Sequence, residues 1–191
     1  MGKARLEAFS DGVLAIIITI MVLEMKVPHG AEVVALQPLI PVFLSYVLSF
    51  VYLGIYWNNH HHLLHAARQV NGSILWANLH LLFWLSLIPF TTGWMGDNHF
   101  APWPVALYGT VLLFAGIAYF ILTRTLIVGH GSDSTLATSI GRDAKGKISL
   151  AAYAAAIPFS FAQPWIACVF YVLVAIMWLV PDRRIERILN Q

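Results

Sequence analysis

Two polar residues, Ser10 and Asp11, lie inside the first long apolar run of the chain, with Arg5 and Glu7 just ahead of them. An ionised carboxylate in hydrocarbon is costly unless it is paired or wetted, so a span that only anchored a protein would gain nothing from one. An acid at such a place marks a functional or specifically paired site, with its partner elsewhere in the chain. The second apolar run offers Ser45, Ser49, Tyr52, Tyr56 and Asn59 at helical spacing, a wet stripe suited to face protein rather than lipid. That run ends in Tyr56-Trp57-Asn58-Asn59-His60-His61-His62-Leu63-Leu64-His65, and the third run begins Trp76-Ala77-Asn78-Leu79-His80. Three antiparallel helices would bring these groups to the depth of Asp11. The expectation is a network of Asp11, Arg5, His60 or His61, Trp57 and Asn78 that satisfies the charge.

The histidines allow a second chemistry. His61 and His65 stand four apart, the spacing of two ligands on one helix face, so a membrane metal transporter or haem-bearing electron carrier built on the His60–His65 cluster is the alternative. No acid or thiol in that stretch completes a divalent-metal set, and only His80 offers a facing partner for an axial pair. An intramembrane enzyme would need a nucleophile with its base, or a metal with one. Neither Gly-x-Ser-x-Gly nor His-Glu-x-x-His occurs, and the single cysteine, Cys168, has no histidine near it in sequence. No enzyme, no cofactor and no nucleic-acid partner is expected. Cys168 can form no intrachain disulfide and reads as an inert small residue.

The elements that must position these groups are membrane helices. Of 191 residues, 59% are hydrophobic and 10% charged, and the mean hydropathy is +0.74. A soluble domain carries about 45–50% apolar and about 25% charged residues. The apolar runs reach about 20 residues instead of alternating over about 10, which selects helices over a barrel. Six runs are long enough to cross, at 4–26, 38–64, 73–96, 103–127, 145–162 and 164–181. The predicted architecture is an all-α integral membrane protein, one six-helix transmembrane domain over 1–191. Only Gln163-Pro164 divides the last two runs, which predicts a tight hairpin, and Gly129 to Lys147 is the longest polar segment. The N-terminus does not read as a secretory signal, because Ser10-Asp11 interrupts the apolar run and no Ala-x-Ala follows.

Six crossings put both termini on one side. Lys3, Arg5, Arg68, Arg124, Arg142, Lys145, Lys147, Arg183, Arg184 and Arg187 fall on that side and only Lys26 opposite, so the termini are predicted to be cytoplasmic in a multi-pass inner-membrane protein. The outer loops carry Glu24, Glu32 and Asp97, a mildly negative face for an approaching cation. Trp94, Trp103 and Trp165 sit near predicted outer ends as interface anchors.

On a helical wheel at about 100° per residue, Gly12, Ile16, Thr19 and Leu23 form one stripe of the first run and Asp11 lies on its flank. A stripe of small, apolar and hydroxyl residues serves a helix–helix interface as readily as a pore wall, and a membrane threonine often bonds its own i−4 carbonyl.

Arg5-x-x-x-Phe9-Ser10-Asp11, followed by Ala15-Ile16-x-x-Thr19, resembles the signature of the transmembrane protein 175 family of potassium-conducting channels. Tyr56-Trp57-x-x-His60-His61 is similar to the family's second helix, and Leu75-Trp76-x-Asn78-Leu79 with Leu87-x-Pro89-Phe90 to its third. The resemblance covers the first half of the chain by motif and the second half by span count. It implies a six-span subunit of a homotetramer in a lipid bilayer, with the first helix of each copy lining a central pore for monovalent cations, K+ foremost. It places Ile16 at a hydrophobic constriction, Thr19 at a pore-facing position linked to selectivity, Leu23 at a further apolar ring and Gly12 on the same wall. Arg5, Ser10 and Asp11, with His60 or His61, Trp57 and Asn78, match the network that fixes the first helix. Four Ile16 side chains around an axis would make a ring that can close by dewetting. No Thr-Val-Gly-Tyr-Gly run is present, so a carbonyl filter of that type is excluded and a modest selectivity is expected.

Overall fold

A computed structural model describes residues 2–130 and 143–179. The regular elements among the described residues are all helical: α1 (Lys3–Leu23), a 3-10 turn (Val33–Leu39), α2 (Ile40–Ala66), α3 (Gly72–Ser86), α4 (Ile88–Asp97), α5 (Pro102–His130), α6 (Ala144–Ala162) and α7 (Pro164–Leu179). Four stretches are long and apolar enough to cross a bilayer, namely Lys3–Leu23, Val33–Ala66, Gly72–Asp97 and Pro102–Gly129, and Pro164–Leu179 is a shorter apolar helix.

Prolines decide most of the boundaries. Pro41 occupies the first turn of α2, where its missing N–H costs nothing. The predicted single span 73–96 is two helices, because Pro89 in the first turn of α4 removes a donor and the chain breaks at Leu87. Asn71 starts α3 by accepting a hydrogen bond from the Ile74 N–H at 3.0 Å. Gln163 is extended (φ −155°, ψ 97°), as a residue before proline prefers. This single residue separates α6 from α7, and the two helices pack on each other as the predicted hairpin requires. The polar segment expected from Gly129 to Lys147 is helical at both ends, and its centre lies outside the described residues, as do Arg142, Arg183, Arg184 and Arg187.

α5 is the central helix. Val105, Tyr108, Leu112, Ala115, Ala118, Leu122 and Leu126 are buried along it, and it packs against α3, α4, α6 and α7. Polar side chains tie the bundle across helices. Ser49 is 2.7 Å from the Thr92 hydroxyl and 3.0 Å from the Tyr108 hydroxyl. Tyr52 donates to the Tyr171 carbonyl at 2.6 Å and Tyr171 to the Val105 carbonyl at 3.0 Å. The wet stripe of α2 thus faces protein at Ser45, Ser49 and Tyr52, all buried, while Tyr56 and Asn59 are half-buried. α2 and α4 approach closely at Gly96, where a Cβ would stand 2.6 Å from the Val42 Cα.

α1 lies at the edge of this bundle, packed against α2, α3 and α4. Only 28% of its most apolar stretch is buried, against 39% to 50% in the other three long apolar stretches. Trp94, Trp103 and Trp165, the expected interface anchors, are exposed.

Candidate functional site

α1 has two faces set by sequence. Leu6, Ser10, Leu14, Ile17 and Met21 are buried, at the spacing of one helical stripe. Gly12, Ile16, Thr19 and Leu23 occupy the opposite side and are exposed, Ile16 at 58% and Leu23 at 81%. The single subunit therefore leaves uncovered an apolar stripe that would cost free energy in water. Thr19 turns its hydroxyl back on its own helix, donating to the Ala15 and Ile16 carbonyls at 3.0 Å each. Its oxygen keeps acceptor capacity toward whatever faces the stripe.

The buried face is fixed by polar bonds. Asn78 on α3 donates through Nδ2 to Ser10 Oγ at 3.0 Å, and its Oδ1 is 2.7 Å from Nε2 of His60 on α2. Ser10 donates in turn to the Leu6 carbonyl at 2.9 Å. All three side chains are buried, Asn78 and Ser10 completely. One asparagine thus uses both ends of its amide to join α1, α2 and α3. Asp11 stands apart from this trio. Half-buried on the flank of α1, it accepts a hydrogen bond from Trp57 Nε1 at 3.0 Å.

Of the residues expected to act together, the structure joins Ser10, Asn78 and His60 in one chain of bonds and Asp11 with Trp57 in another. His61 does not enter either. It is exposed and stacks between Trp57 and His65, at centroid distances of 6.0 and 6.1 Å. Arg5 is also outside the network: it is exposed and its side chain makes no hydrogen bond or ion pair among the described residues. It stands six positions before Asp11, which is about 9 Å along a helix axis and about 120° around it. Arg5 instead falls within about 20° of Ile16 on the wheel, on the exposed stripe, a relation readable from the eleven-residue spacing.

Sequence reasoning missed three features. Lys3 Nζ donates to the His65 carbonyl at 2.9 Å, tying the start of α1 to the last turn of α2, where a cation meets the helix dipole favourably. Ile20 is exposed beside the stripe at 40%. A groove between α1 and α4, lined by Val13, Ile16, Ile20 and Phe90, ends at the carboxylates of Glu24 and Asp97. No local motif announces a groove, since its lining comes from α1, α3 and α4 together.

The histidines are dispersed. His60 is bound to Asn78, and His80 accepts from Trp84 Nε1 at 3.0 Å on its own helix, which leaves it unmatched to His61 or His65. Among the described residues no group of three or more His, Cys, Asp or Glu side chains converges as a metal site would require.

These features define a multi-pass helical membrane protein whose first helix is held on one face by a three-helix polar clasp and left bare on the other. The family model described as endosomal/lysosomal potassium channel TMEM175 matches residues 5–89. A protein from Chryseobacterium sp. (strain P1-3), named a potassium channel, is 58% identical over the full length of both chains. Another protein so named, from Streptomyces collinus, is 31% identical over 78% of this chain and 76% of its own. In structure, the chain is similar to the lysosomal potassium-selective channel TMEM175 homolog from Chamaesiphon minutus, with a TM-score of 0.80 and 27% identity over 93% of this chain and 96% of that one. The chain belongs to the TMEM175 family.

Proposed function

We propose that this protein is a potassium-preferring cation channel in which the bare stripes of several α1 helices face one another around a pore. The observation that carries the reading is the position of Gly12, Ile16, Thr19 and Leu23 opposite the buried face of α1. Family membership and the potassium-channel names of the relatives support the choice of ion. In this reading Ile16 and Leu23 form apolar rings, with Thr19 hydroxyls between them. An apolar ring of that kind blocks ions by excluding water, and a small outward tilt of the helices rewets it. Gly12 and Ala15 are small enough to permit such a tilt. Arg5 would stand at the N-terminal mouth and Glu24 at the other end, where the partial negative charge of the helix terminus also favours cations.

The assembly we infer is a homotetramer of six-span subunits in the inner membrane, with both termini cytoplasmic. The asymmetry of the lysines and arginines supports the orientation, and the family resemblance supports the count of copies. The clasp through Asn78 has a mechanical role here, since it holds the back of α1 while the front faces the pore.

Potassium flux into liposomes holding the purified protein tests the reading, with a sodium gradient measured in parallel. Ile16→Asn should raise the flux several-fold by wetting the ring. An unchanged flux in that variant, with protein shown to be folded, would remove Ile16 from the pore.

A further inference from the structure

The groove between α1 and α4 runs alongside the bare stripe of α1. Its wall is apolar along Val13, Ile16, Ile20 and Phe90, and it ends at the carboxylates of Glu24 and Asp97. Its volume is about 640 Å³. One water needs about 10–15 Å³ by that measure, so this is space for a row of side chains and not for a single ion.

The flank of α1 on the other side of the stripe has the complementary relief. Ala8, Ala15 and Val22 are exposed there, seven positions apart. A spacing of seven keeps one seam of a helix turned toward a partner helix. Small residues let two membrane helices approach closely. Copies arranged around an axis meet heterologously, one flank of each against the opposite flank of the next. A recess between large side chains on one flank and a row of small ones on the other suits such a ring.

Charge supplies the second half of the match. Glu24 lies against α4, where a Cβ at Gly93 would stand 3.6 Å from its Oε2. Neither Glu24 nor Asp97 forms an ion pair among the described residues. Lys26 is exposed four positions beyond Val22, and it pairs with none of Glu24, Glu32 and Asp97 in its own copy. It is the one lysine or arginine that the sequence assigns to this end of the bundle. Rotation about a common axis keeps equal residues at equal height, so Lys26 of the next copy stands near the level of Glu24. Packed helices lie about 8–10 Å apart, a gap that the flexible four-carbon stem of a lysine can bridge. A phospholipid is the other occupant an apolar groove in a membrane could take. Its phosphate would meet the two carboxylates, and like charges repel.

We propose that this groove seats the flank of α1 that carries Ala8, Ala15 and Val22 in the next copy, and that Lys26 of that copy closes it by pairing with Glu24 and Asp97. The seating rests on the pore reading of α1 and adds the contact that sets the register between copies. The apolar surface carries the affinity, and the ion pair at the rim selects the partner face.

Crosslinking between two kinds of copy tests the seating. Chains with Lys26→Cys and chains with Asp97→Cys, both in a Cys168→Ala background, would be reconstituted together in liposomes and treated with a short bismaleimide. Crosslinked dimers should form in the mixture and be several-fold rarer with either chain alone. Lys26→Glu should raise the concentration at which the detergent-solubilised assembly dissociates by about tenfold, and Lys26→Glu combined with Asp97→Lys should restore it. Lys26→Cys chains that crosslink to each other as readily as to Asp97→Cys chains would overturn the seating. An assembly indifferent to Lys26→Glu, or not restored by the double variant, would overturn the ion pair. Phospholipid retained on the wild type in native mass spectrometry, with no mixed dimers, would give the groove to lipid and overturn the proposal. Potassium flux in the same liposomes separates the seating from the pore reading. Conducting protein without mixed dimers would overturn the seating alone, and a folded chain that stays monomeric would overturn both.

Discussion

Asn78 is the residue on which the arrangement of α1 turns. Its amide donates to Ser10 and its carbonyl oxygen meets His60, so its removal leaves the buried His60 Nε2 without this partner and Ser10 with only its bond to the Leu6 carbonyl. A buried polar group orphaned in this way costs about 1–3 kcal/mol. Asn78→Leu should therefore lower the thermal midpoint of the detergent-solubilised protein by several degrees; an unchanged midpoint would mean that the clasp is not structural. Thr19 is the contrasting case. It bonds only carbonyls of its own helix, so Thr19→Ala should leave stability within about 0.5 kcal/mol. Its expected effect is a lower preference for potassium over sodium, read as a shift in reversal potential under bi-ionic conditions. Asp11, Trp57, Ser10, His60 and Asn78 were all legible as partners because polar groups in an apolar run have few places to go. Which of them pair was not legible. The split between the Ser10–Asn78–His60 chain and the Asp11–Trp57 bond depends on the rotation of α2 against α1, and periodicity leaves that rotation free. Arg5 was drawn toward Asp11 by charge, whereas the helix pitch carries it round to the exposed stripe.

At the scale of elements, five of the six predicted apolar runs correspond to single helices, and the exception has a stated cause in Pro89. The break at Leu87 bears on the candidate site, because α4, which follows it, supplies Pro89, Phe90, Gly93 and Trp94 to the groove beside Ile16 and Ile20. Length and hydropathy give a span but not its bend, so the groove could not be read in advance. The α6–α7 turn was legible, since a residue before proline resists the helical conformation. Helix approach at Gly96 gives a test of packing. Gly96→Val would drive a side chain into the Val42 backbone, where no flexible group can yield. It should cost about 2–4 kcal/mol or prevent folding, measured as loss of a monodisperse peak on size exclusion. Gly12→Ala should be tolerated in the same assay, because nothing lies within 4 Å of a Cβ built there.

For the whole molecule, the decisive feature is that its first helix is the least covered of the long apolar stretches. A lone subunit leaves Ile16, Ile20 and Leu23 uncovered. A path along that face needs more than one copy, and the family resemblance argues for four. Counting subunits by single-molecule photobleaching of a labelled chain in nanodiscs should give four steps, and a population with one step would contradict assembly. The sequence carried the family and the helix layout, because both reside in local patterns. It did not carry a cavity lined by aromatic rings among α2, α5, α6 and α7, which exists only where four distant segments meet.

The central claim is that the stripe opposite the buried face of α1 meets the ion path. A cysteine scan along α1 tests it most directly, in a Cys168→Ala background that removes the one native thiol. Potassium current would be recorded before and after a small charged thiol reagent is applied. Cysteine at positions 12, 16, 19 and 23 should make the current sensitive to the reagent, and cysteine at 14, 17 and 21, on the face packed against α2, α3 and α4, should not. Modification that alters current at the buried positions, or at none of the exposed ones, would contradict the account.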